Sequence, residues 1–239
     1  MNTPTPTPLP NSFRSTCNSL HSLAEHVLST ARYKAVERFV LQPNPRGIET
    51  PAFGDEDTVI AIEGAEIVVT DGRGSRRTSV TTIREAAAFV GVAPGLPSSL
   101  WESTNPLALD APLDLDPVAV QALADWYEFS RVVLTALRDR AISDTYAPIQ
   151  LFPQGFDLAT NAAEVNYGGS PGDSFCHEPY LYVGPFNRPF PNATDSFWNA
   201  GFGAMLEYSK ITSNEQAIEF LWLGRELCSP TTTKGASPK

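Results

Sequence analysis

The sequence predicts an α+β fold, in which helices pack on antiparallel sheet within a single compact domain over residues 12–229. Three observations support this fold class. Some segments repeat apolar residues at helical spacing, others are short β-branched runs, and capping residues or glycines separate the two kinds. A long proline-rich connection over 92–115 marks an internal seam, at which two joined halves of the domain would meet.

Both termini are predicted to be disordered tails. Residues 1–11 alternate proline with threonine, and residues 230–239 are polar and contain proline. Neither segment offers enough apolar area to be held against a core, so we expect the folded domain to lie between them.

A first helix is predicted over about 13–31. Apolar residues recur there at intervals of three and four, which places them on one side of a helix: Leu20, Leu23, Ala24, Val27, Leu28 and Ala31. At about 100° per residue, His21 falls at the edge of this stripe and His26 lies far from its centre. We therefore expect His26 to be a solvent-exposed surface residue.

A strand-rich block follows the first helix. Its segments are short and mostly β-branched or aromatic, as strands are: 39–41, 58–62, 67–70 and 78–81. Gly64 and the segment 71–74 provide the turns between the last three. Because connections this short join neighbouring strands, we expect an antiparallel meander.

A capping box marks the start of the second predicted helix. Thr82 is the N-cap and Glu85 stands three residues later, which opens a helix over about 83–90. Gly91 follows the last apolar residue, and glycine is the residue that most often ends a helix.

The longest helix is predicted over about 117–141, where Asp116 is the N-cap and a proline follows it. Apolar residues run along two sides of this helix, so we expect it to be buried on two sides at the centre of the fold. Ser213 caps a last helix over about 214–228. In that helix Cys228 is expected to be a small core residue rather than a reactive thiol.

The composition excludes several classes of protein. The 239 residues carry 17 basic and 27 acidic side chains, a net charge of −10, so no basic field faces a nucleic-acid partner. Three widely spaced cysteines without a CxxC pair predict neither a disulfide framework nor a structural zinc site. No apolar run approaches the roughly 18 residues of a membrane span, and the amino terminus does not resemble a secretory signal. We therefore expect a cytoplasmic protein without a membrane partner.

Residues 152–204 are predicted to line a small-molecule pocket. This stretch mixes aromatics, glycine, proline and isolated polar residues, which suits aromatic walls, close backbone approach and a few placed polar groups. The binding candidates are aromatic and polar side chains: Tyr167, Asp173, Glu178, Tyr180, Trp198 and Asn199. For Trp198 and Asn199 the alternative is a tightly packed turn, in which Gly201 and Gly203 allow close chain approach.

Asp157 and His177 are the candidate titratable groups of this pocket. A strand carboxylate between two apolar neighbours needs a partner, which would be a backbone amide, an arginine or a ligand. His177 would join a carboxylate in a metal site or an acid–base pair, but no HxH, HExxH or HxxxD spacing occurs, and no metal site is predicted. The alternative is structural: Asp173 closes the turn 170–173, and His177 satisfies a buried hydrogen bond.

A catalytic dyad of Cys176 with His177 is disfavoured by strand geometry. If 176–183 forms a strand, successive side chains alternate between its faces, so the thiol and the imidazole point apart. In this register one face carries Glu178, Tyr180 and Tyr182.

Three short motifs in this region carry a family resemblance: FDLA at 156–159, SPGD at 170–173 and YLYVGP at 180–185. They resemble a group of actinobacterial proteins of unknown function. More distantly they are similar to a larger uncharacterised bacterial family, in which an FDLA strand precedes a Trp-Pro-Gly-Asp turn and a tyrosine-rich strand. That family continues its strand with Thr-Arg-Phe-Ser-Gly-Arg, whereas TNAA stands at 160–163 here, so an anion-binding role of those arginines is not inherited. The resemblance implies a shared fold and a shared pocket region, and it implies no activity.

Two functional hypotheses remain open. In the first, the chain is a small-molecule binding protein or an enzyme, with Asp157 and His177 as its titratable groups. In the second, it is a non-catalytic structural or protein-interaction module, in which the same aromatics serve packing. One concave pocket shared by Asp157, His177 and Trp198 favours the first hypothesis, and separate burial favours the second. The sequence identifies neither a cofactor nor an oligomeric state.

Overall fold

The helices lie at the start, middle and end of the chain. The computed structural model describes residues 7–97, 99–101, 103, 105–190 and 196–229. The helical elements, in chain order, are α1 (Phe13–Leu23), a π-helical segment (Ala24–Ser29), α2 (Thr30–Val36), α3 (Ile83–Val90), α4 (Pro117–Arg140), a short 3-10 turn (Tyr208–Lys210) and α5 (Asn214–Cys228).

The strands form two five-stranded antiparallel sheets, each a meander in which every strand pairs with the next along the chain. The first sheet contains β1 (Gln42–Asn44), β2 (Gly47–Glu49), β3 (Val59–Glu63), β4 (Glu66–Asp71) and β5 (Gly74–Ser79). The second contains β6 (Gln150–Phe152), β7 (Asp157–Ala162), β8 (Val165–Ser170), β9 (Tyr180–Pro185) and β10 (Ala204–Glu207). Helices pack on both sheets, so the predicted α+β fold is confirmed.

The element order repeats although the sequence does not. Each half of the chain runs from helix through five meandering strands to a closing helix, first over 13–90 and then over 117–228. The halves also meet at equivalent places, because Leu41 beside β1 and Leu151 in β6 exchange backbone hydrogen bonds of 2.8 and 3.0 Å. The segment 92–115 connects the two halves.

The predicted caps lie where the sequence places them. Thr82 accepts a hydrogen bond from the Glu85 amide, and Gly91 ends α3 in the left-handed region with φ 86°. Asp116 and Ser213 cap α4 and α5 by accepting from amides in the first turn of each helix. These three helices match their predicted bounds to within one residue.

The first helical run ends at Val36, five residues later than predicted.

The expectation that His26 is exposed is wrong. His26 is only 4% exposed, and its Nε2 donates a 2.8 Å hydrogen bond to the Asn105 carbonyl. One reason is that the loop after α3 wraps this part of the helix, where the Gly95 amide donates to the His26 carbonyl. The other is that His26 lies in the π-helical segment, whose wider turns do not follow α-helical angular spacing.

The strand prediction is right for the meander, although β5 runs over Gly74–Ser79 instead of 78–81, and it is wrong at three places. The predicted strand 39–41 does not form, since residues 39 and 40 lie outside any strand and Leu41 makes only an isolated bridge to Leu151. The prediction also misses β1 and β2, whose QPN and GIE sequences contain no β-branched run.

The predicted strand 176–183 begins only at Tyr180. Pro179 has no amide hydrogen for a ladder, and the Asp173 side chain holds the amides of Phe175 and Cys176 in a turn instead.

Helix α4 runs through the core, as its two apolar sides predict. Leu123, Tyr127 and Leu134 are fully buried in one hydrophobic core that includes side chains from both sheets. The helix approaches β8 so closely that a Cβ atom on Gly169 would overlap the Ser130 hydroxyl. Glycine at this position is therefore required by packing.

The amino-terminal segment is packed where the structure describes it. The Thr7 carbonyl accepts a 2.9 Å hydrogen bond from the Tyr208 hydroxyl, and Leu9 packs against the core. The predicted disorder therefore does not extend to residues 7–11. Residues 1–6 and 230–239, the rest of the predicted tails, lie outside the described residues. Within the described part of the chain, no helix combines the length and the apolar character needed to cross a membrane.

We expect Gly169→Ala to lower the free energy of unfolding by about 1–3 kcal/mol, because the added methyl group must push α4 away from β8. Chemical denaturation of the variant and the parent chain measures this difference. Gly201→Ala is the matched control, since a Cβ atom there meets nothing within 4 Å, and it should be close to neutral. Equal stability of the two variants would contradict the close approach of α4 to β8.

Candidate functional site

A cleft opens on the face of the second sheet that points away from α4. Leu158, Gly169 and Leu181 are aligned across β7, β8 and β9 on the helix side, so their sequence neighbours face the cleft. The cleft has a volume of about 360 Å³. We call it the tyrosine cleft, and its lining residues are Gly155, Asp157, Asn166, Ser170, Asp173, Tyr180, Tyr182, Gly184, Pro185, Phe186, Arg188 and Phe202.

Asp157 and Tyr182 form a hydrogen-bonded pair in this cleft. The Tyr182 hydroxyl donates to Asp157 Oδ2 across β8. The ring reaches the carboxylate by lying over Gly168, where a Cβ atom would come within 2.6 Å of the ring. A side chain at Gly168 would therefore displace Tyr182 from its partner.

Burial raises the pKa of the Asp157 carboxyl group. The hydrogen bond from Tyr182 offsets part of this effect, and the negative charge of Asp173 adds to it. Burial and the neighbouring Asp157 charge also raise the pKa of Tyr182, so the phenol keeps its proton and acts as a donor. The pair therefore presents a carboxyl group that is costly to ionise, fixed in orientation by a neutral phenol.

The position of Asp157 depends on a strained residue before it. Phe156 lies in the left-handed region with φ 55°, which a bulky residue rarely adopts. Its carbonyl accepts a 2.6 Å hydrogen bond from Tyr127 of α4, and its ring stacks on His21 of α1 with centroids 5.1 Å apart. His21 Nε2 also donates to the Pro153 carbonyl at 2.7 Å. Strain that is held in this way by surrounding structure is typical of functional sites.

Asp173 lines the cleft and also closes its own turn. Oδ1 accepts from the amides of Phe175 and Cys176 at 2.7 and 3.0 Å, so Asp173 closes the turn 173–176 that follows it and not the predicted turn 170–173. Oδ2 accepts a 2.7 Å hydrogen bond from Tyr180. The carboxylate is thus well satisfied by the protein, and its contribution to the cleft is a fixed negative charge beside Asp157.

Three of the predicted site residues meet in the cleft: Asp157, Asp173 and Tyr180. His177 does not line it, because the strand starts after His177 and leaves that side chain exposed on the preceding loop. Trp198 stacks on Phe190 with centroids 5.2 Å apart and packs against the core. Asp157, His177 and Trp198 therefore do not share one pocket, so this condition for the first hypothesis is not met, and the case for a binding site depends on the cleft around Asp157 alone.

The other binding candidates hold the structure together elsewhere. Tyr167 is 2% exposed and lies on the helix side of β8, 6.0 Å from the Tyr146 ring. Glu178 accepts hydrogen bonds from the amide and hydroxyl of a serine in the 3-10 turn. Asn199 exchanges hydrogen bonds of 2.8 and 3.0 Å with the backbone of Met205, which makes it part of a closed turn.

Apart from the glycines, seven lining residues escaped the sequence prediction of the site: Asn166, Ser170, Tyr182, Pro185, Phe186, Arg188 and Phe202. The signal for Tyr182 was available, since strand alternation places it on the face of Tyr180, and Gly168 stands opposite it in β8. Arg188 and Phe202 lie outside the strands of the second sheet, and no local pattern indicates which way such residues point.

Neither a metal site nor a cysteine dyad emerges from the described residues. No group of three His, Cys, Asp or Glu side chains among them is arranged to hold a metal ion. Cys176 Sγ donates to the Glu178 carbonyl at 3.4 Å, and burial raises the pKa of its thiol. A thiol in this environment stays protonated, which disfavours a nucleophilic role.

Comparison with known proteins yields no relative. No protein-family model, no curated protein and no solved structure matches this chain. The resemblance to actinobacterial proteins, which rests on the motifs around Asp157 and Tyr182, stays a prediction. The interpretation of the tyrosine cleft therefore depends on its geometry.

Asp157→Asn should raise the free energy of unfolding at neutral pH, because the amide keeps an oxygen for Tyr182 and removes the cost of a buried charge. A folded-state pKa above the unfolded value penalises folding when the group is ionised. This penalty is complete above the folded-state pKa and disappears as the pH falls to the unfolded value. The advantage of the variant should therefore shrink on acidification, as denaturation at a series of pH values would measure.

Asp144→Asn is a control variant whose expected change in stability at neutral pH is opposite in sign to that of Asp157→Asn. Arg225 donates two 2.9 Å hydrogen bonds to Asp144 and lowers the pKa of its carboxyl group. This variant should lose stability at neutral pH, with a loss that fades as the pH falls through the lowered pKa. If both variants lose stability at neutral pH, burial does not make Asp157 costly to ionise, and this description of the pair is contradicted.

Proposed function

We propose that the chain is a small-molecule binding protein and that its ligand occupies the tyrosine cleft. The observation that carries the proposal is the Asp157 carboxyl group, which is costly to ionise yet held beside an open cleft by Tyr182 and by the strained Phe156. A titratable group perturbed by burial and aimed into a concave site is a common feature of binding sites. Core packing gives no reason to keep a carboxyl group at this position.

The lining favours an uncharged polar ligand. Hydroxyl and amide groups of Ser170, Tyr180 and Asn166 offer both donors and acceptors. The charge of Arg188 offsets that of Asp173, and the raised pKa of the Asp157 carboxyl group limits the negative charge that Asp157 adds. Phe202, whose ring stacks with Tyr180 at 6.0 Å, adds an aromatic wall. A ring with several hydroxyl or amide groups, such as a sugar or a nucleoside, fits this combination.

Two further expectations belong to this proposal. A cytoplasmic location fits a small-molecule binding role. The net charge of −10 opposes binding to the phosphate backbone of nucleic acids. The proposal covers binding, and it assigns recognition, not catalysis, to Asp157 and Tyr182.

A thermal-shift screen followed by calorimetry tests the proposal. The panel contains monosaccharides, nucleosides and their phosphorylated counterparts, and we expect an uncharged member to raise the Tm of the parent chain. Tyr182→Phe should weaken its binding by about tenfold because it removes a hydroxyl group from the cleft. Asp157→Asn should weaken it by a similar factor because it replaces one carboxyl oxygen with an NH2 group, which cannot accept a hydrogen bond.

His177→Ala is the matched control, since this exposed residue lies outside the cleft and its removal should leave affinity unchanged. If no compound of the panel binds, or if His177→Ala weakens binding as much as Asp157→Asn, the proposal is contradicted.

A second candidate is a protein-interaction module, and two exposed phenylalanines favour it. Phe186 lines the cleft and is 56% exposed, while Phe175 packs edge-to-face on Phe202 and is 54% exposed. Exposed aromatics that adjoin a cleft are common in docking surfaces. Under this candidate, peptides selected by phage display would lose binding in Phe175→Ser and Phe186→Ser and keep it in Asp157→Asn, the reverse of the small-molecule result.

A further inference from the structure

A second cavity, of about 550 Å³, lies along the outer side of α4. We call it the α4 groove. The segment around Leu9, residues of α4, and Tyr208 with Ile211 line it. Its volume falls within the range of small-molecule sites. It shares no lining residue with the tyrosine cleft, so it is a separate site.

Aromatic rings form the wall of this groove. Trp126 and Phe129 stack with centroids 5.5 Å apart, and Tyr208 meets Trp126 edge-to-face at 5.7 Å. Perpendicular rings present a face beside an edge, and the faces of aromatic rings carry negative electrostatic potential. Such walls attract cations as well as apolar groups.

The charged residues that line the groove are Asp125 and Glu128, and its described lining contains no basic residue. Glu128 is neutralised by Arg131, which donates two hydrogen bonds of 2.6 and 2.7 Å to it. Asp125 accepts a 2.9 Å hydrogen bond from the uncharged amide of Gln121. Burial raises the pKa of Tyr208, and the charge of Asp125 adds to this effect, so that charge also reaches the aromatic wall. The groove therefore pairs an apolar aromatic wall with a net negative charge.

We infer that the α4 groove binds a small apolar cation, such as an amine or a quaternary ammonium compound with a hydrocarbon body. The hydrocarbon would contact Phe129 and the apolar residues around it, while the cationic head would lie between Asp125 and the ring of Tyr208. Charge complementarity selects this occupant, because the aromatic faces and the carboxylate attract the same sign.

Other occupants fit less well. A fatty acid would bring a carboxylate towards Asp125, and like charges repel in a partly desolvated site. A second copy of this chain carries a net charge of −10 and would add to the repulsion. A neutral apolar compound would fill the groove without using Asp125.

Three probes with one hydrocarbon chain separate these occupants: octyltrimethylammonium, octanol and octanoate, each titrated into the full chain below its micelle concentration. We expect the cation to bind about tenfold more tightly than the alcohol and octanoate to bind most weakly. Asp125→Asn should lower the preference for the cation severalfold, since only the aromatic faces still attract it, and should leave the affinity for octanol unchanged. Among the three probes, added salt should weaken the binding of the cation only.

Asp139→Asn is the matched control, since this exposed aspartate lies on the same helix and outside the groove. It should keep the preference for the cation. Ala122→Phe fills the groove and should abolish binding of all three probes, while circular dichroism confirms that the variant is folded. The inference is overturned if octanol or octanoate binds as tightly as the cation, if Asp125→Asn keeps the full preference, or if no probe binds.

Discussion

The tyrosine cleft depends on one junction, at which α1 and α4 hold the turn between β6 and β7. Tyr127 of α4 donates to the Phe156 carbonyl, and His21 of α1 stacks on the Phe156 ring. These contacts keep Phe156 in a left-handed conformation that its side chain disfavours, and they fix the start of β7. Asp157 follows directly and lies where Tyr182 can reach it. Because α1 belongs to the first half of the chain and the cleft to the second, the site requires both halves.

Helix α4 links the two sites that we describe. Tyr127 faces the core and the turn before Asp157, whereas Trp126 and Asp125 line the groove outside. The two sites differ in chemistry, since the cleft balances its charges and the groove retains an unbalanced carboxylate. The negative charge of the whole chain also favours a cationic occupant of the groove. A variant in the middle of α4 therefore needs to be tested against both sites.

Local rules predicted much of the fold and less of the site. The caps at Thr82, Asp116 and Ser213 act on neighbouring amides, so the sequence alone placed α3, α4 and α5. The burial of His26 depends on a distant loop and on a π-helical segment, and neither has a local signal. Strand alternation related Tyr180 to Tyr182, but β9 begins only after Pro179, which leaves His177 on the preceding loop and away from the cleft. Tertiary packing, which has no local sequence signal, determines which loops bring Arg188 and Phe202 to the cleft.

The most direct measurement is an NMR titration of the Asp157 carboxyl carbon in the folded chain. The account predicts a midpoint above the ordinary aspartate value of about 3.9, because the folded environment makes this group costly to ionise. The midpoint should rise further in Tyr182→Phe, since the hydrogen bond from Tyr182 favours the ionised form. A midpoint at or below the ordinary value would show that Asp157 ionises as easily as an exposed carboxyl group, and it would contradict the account of the cleft.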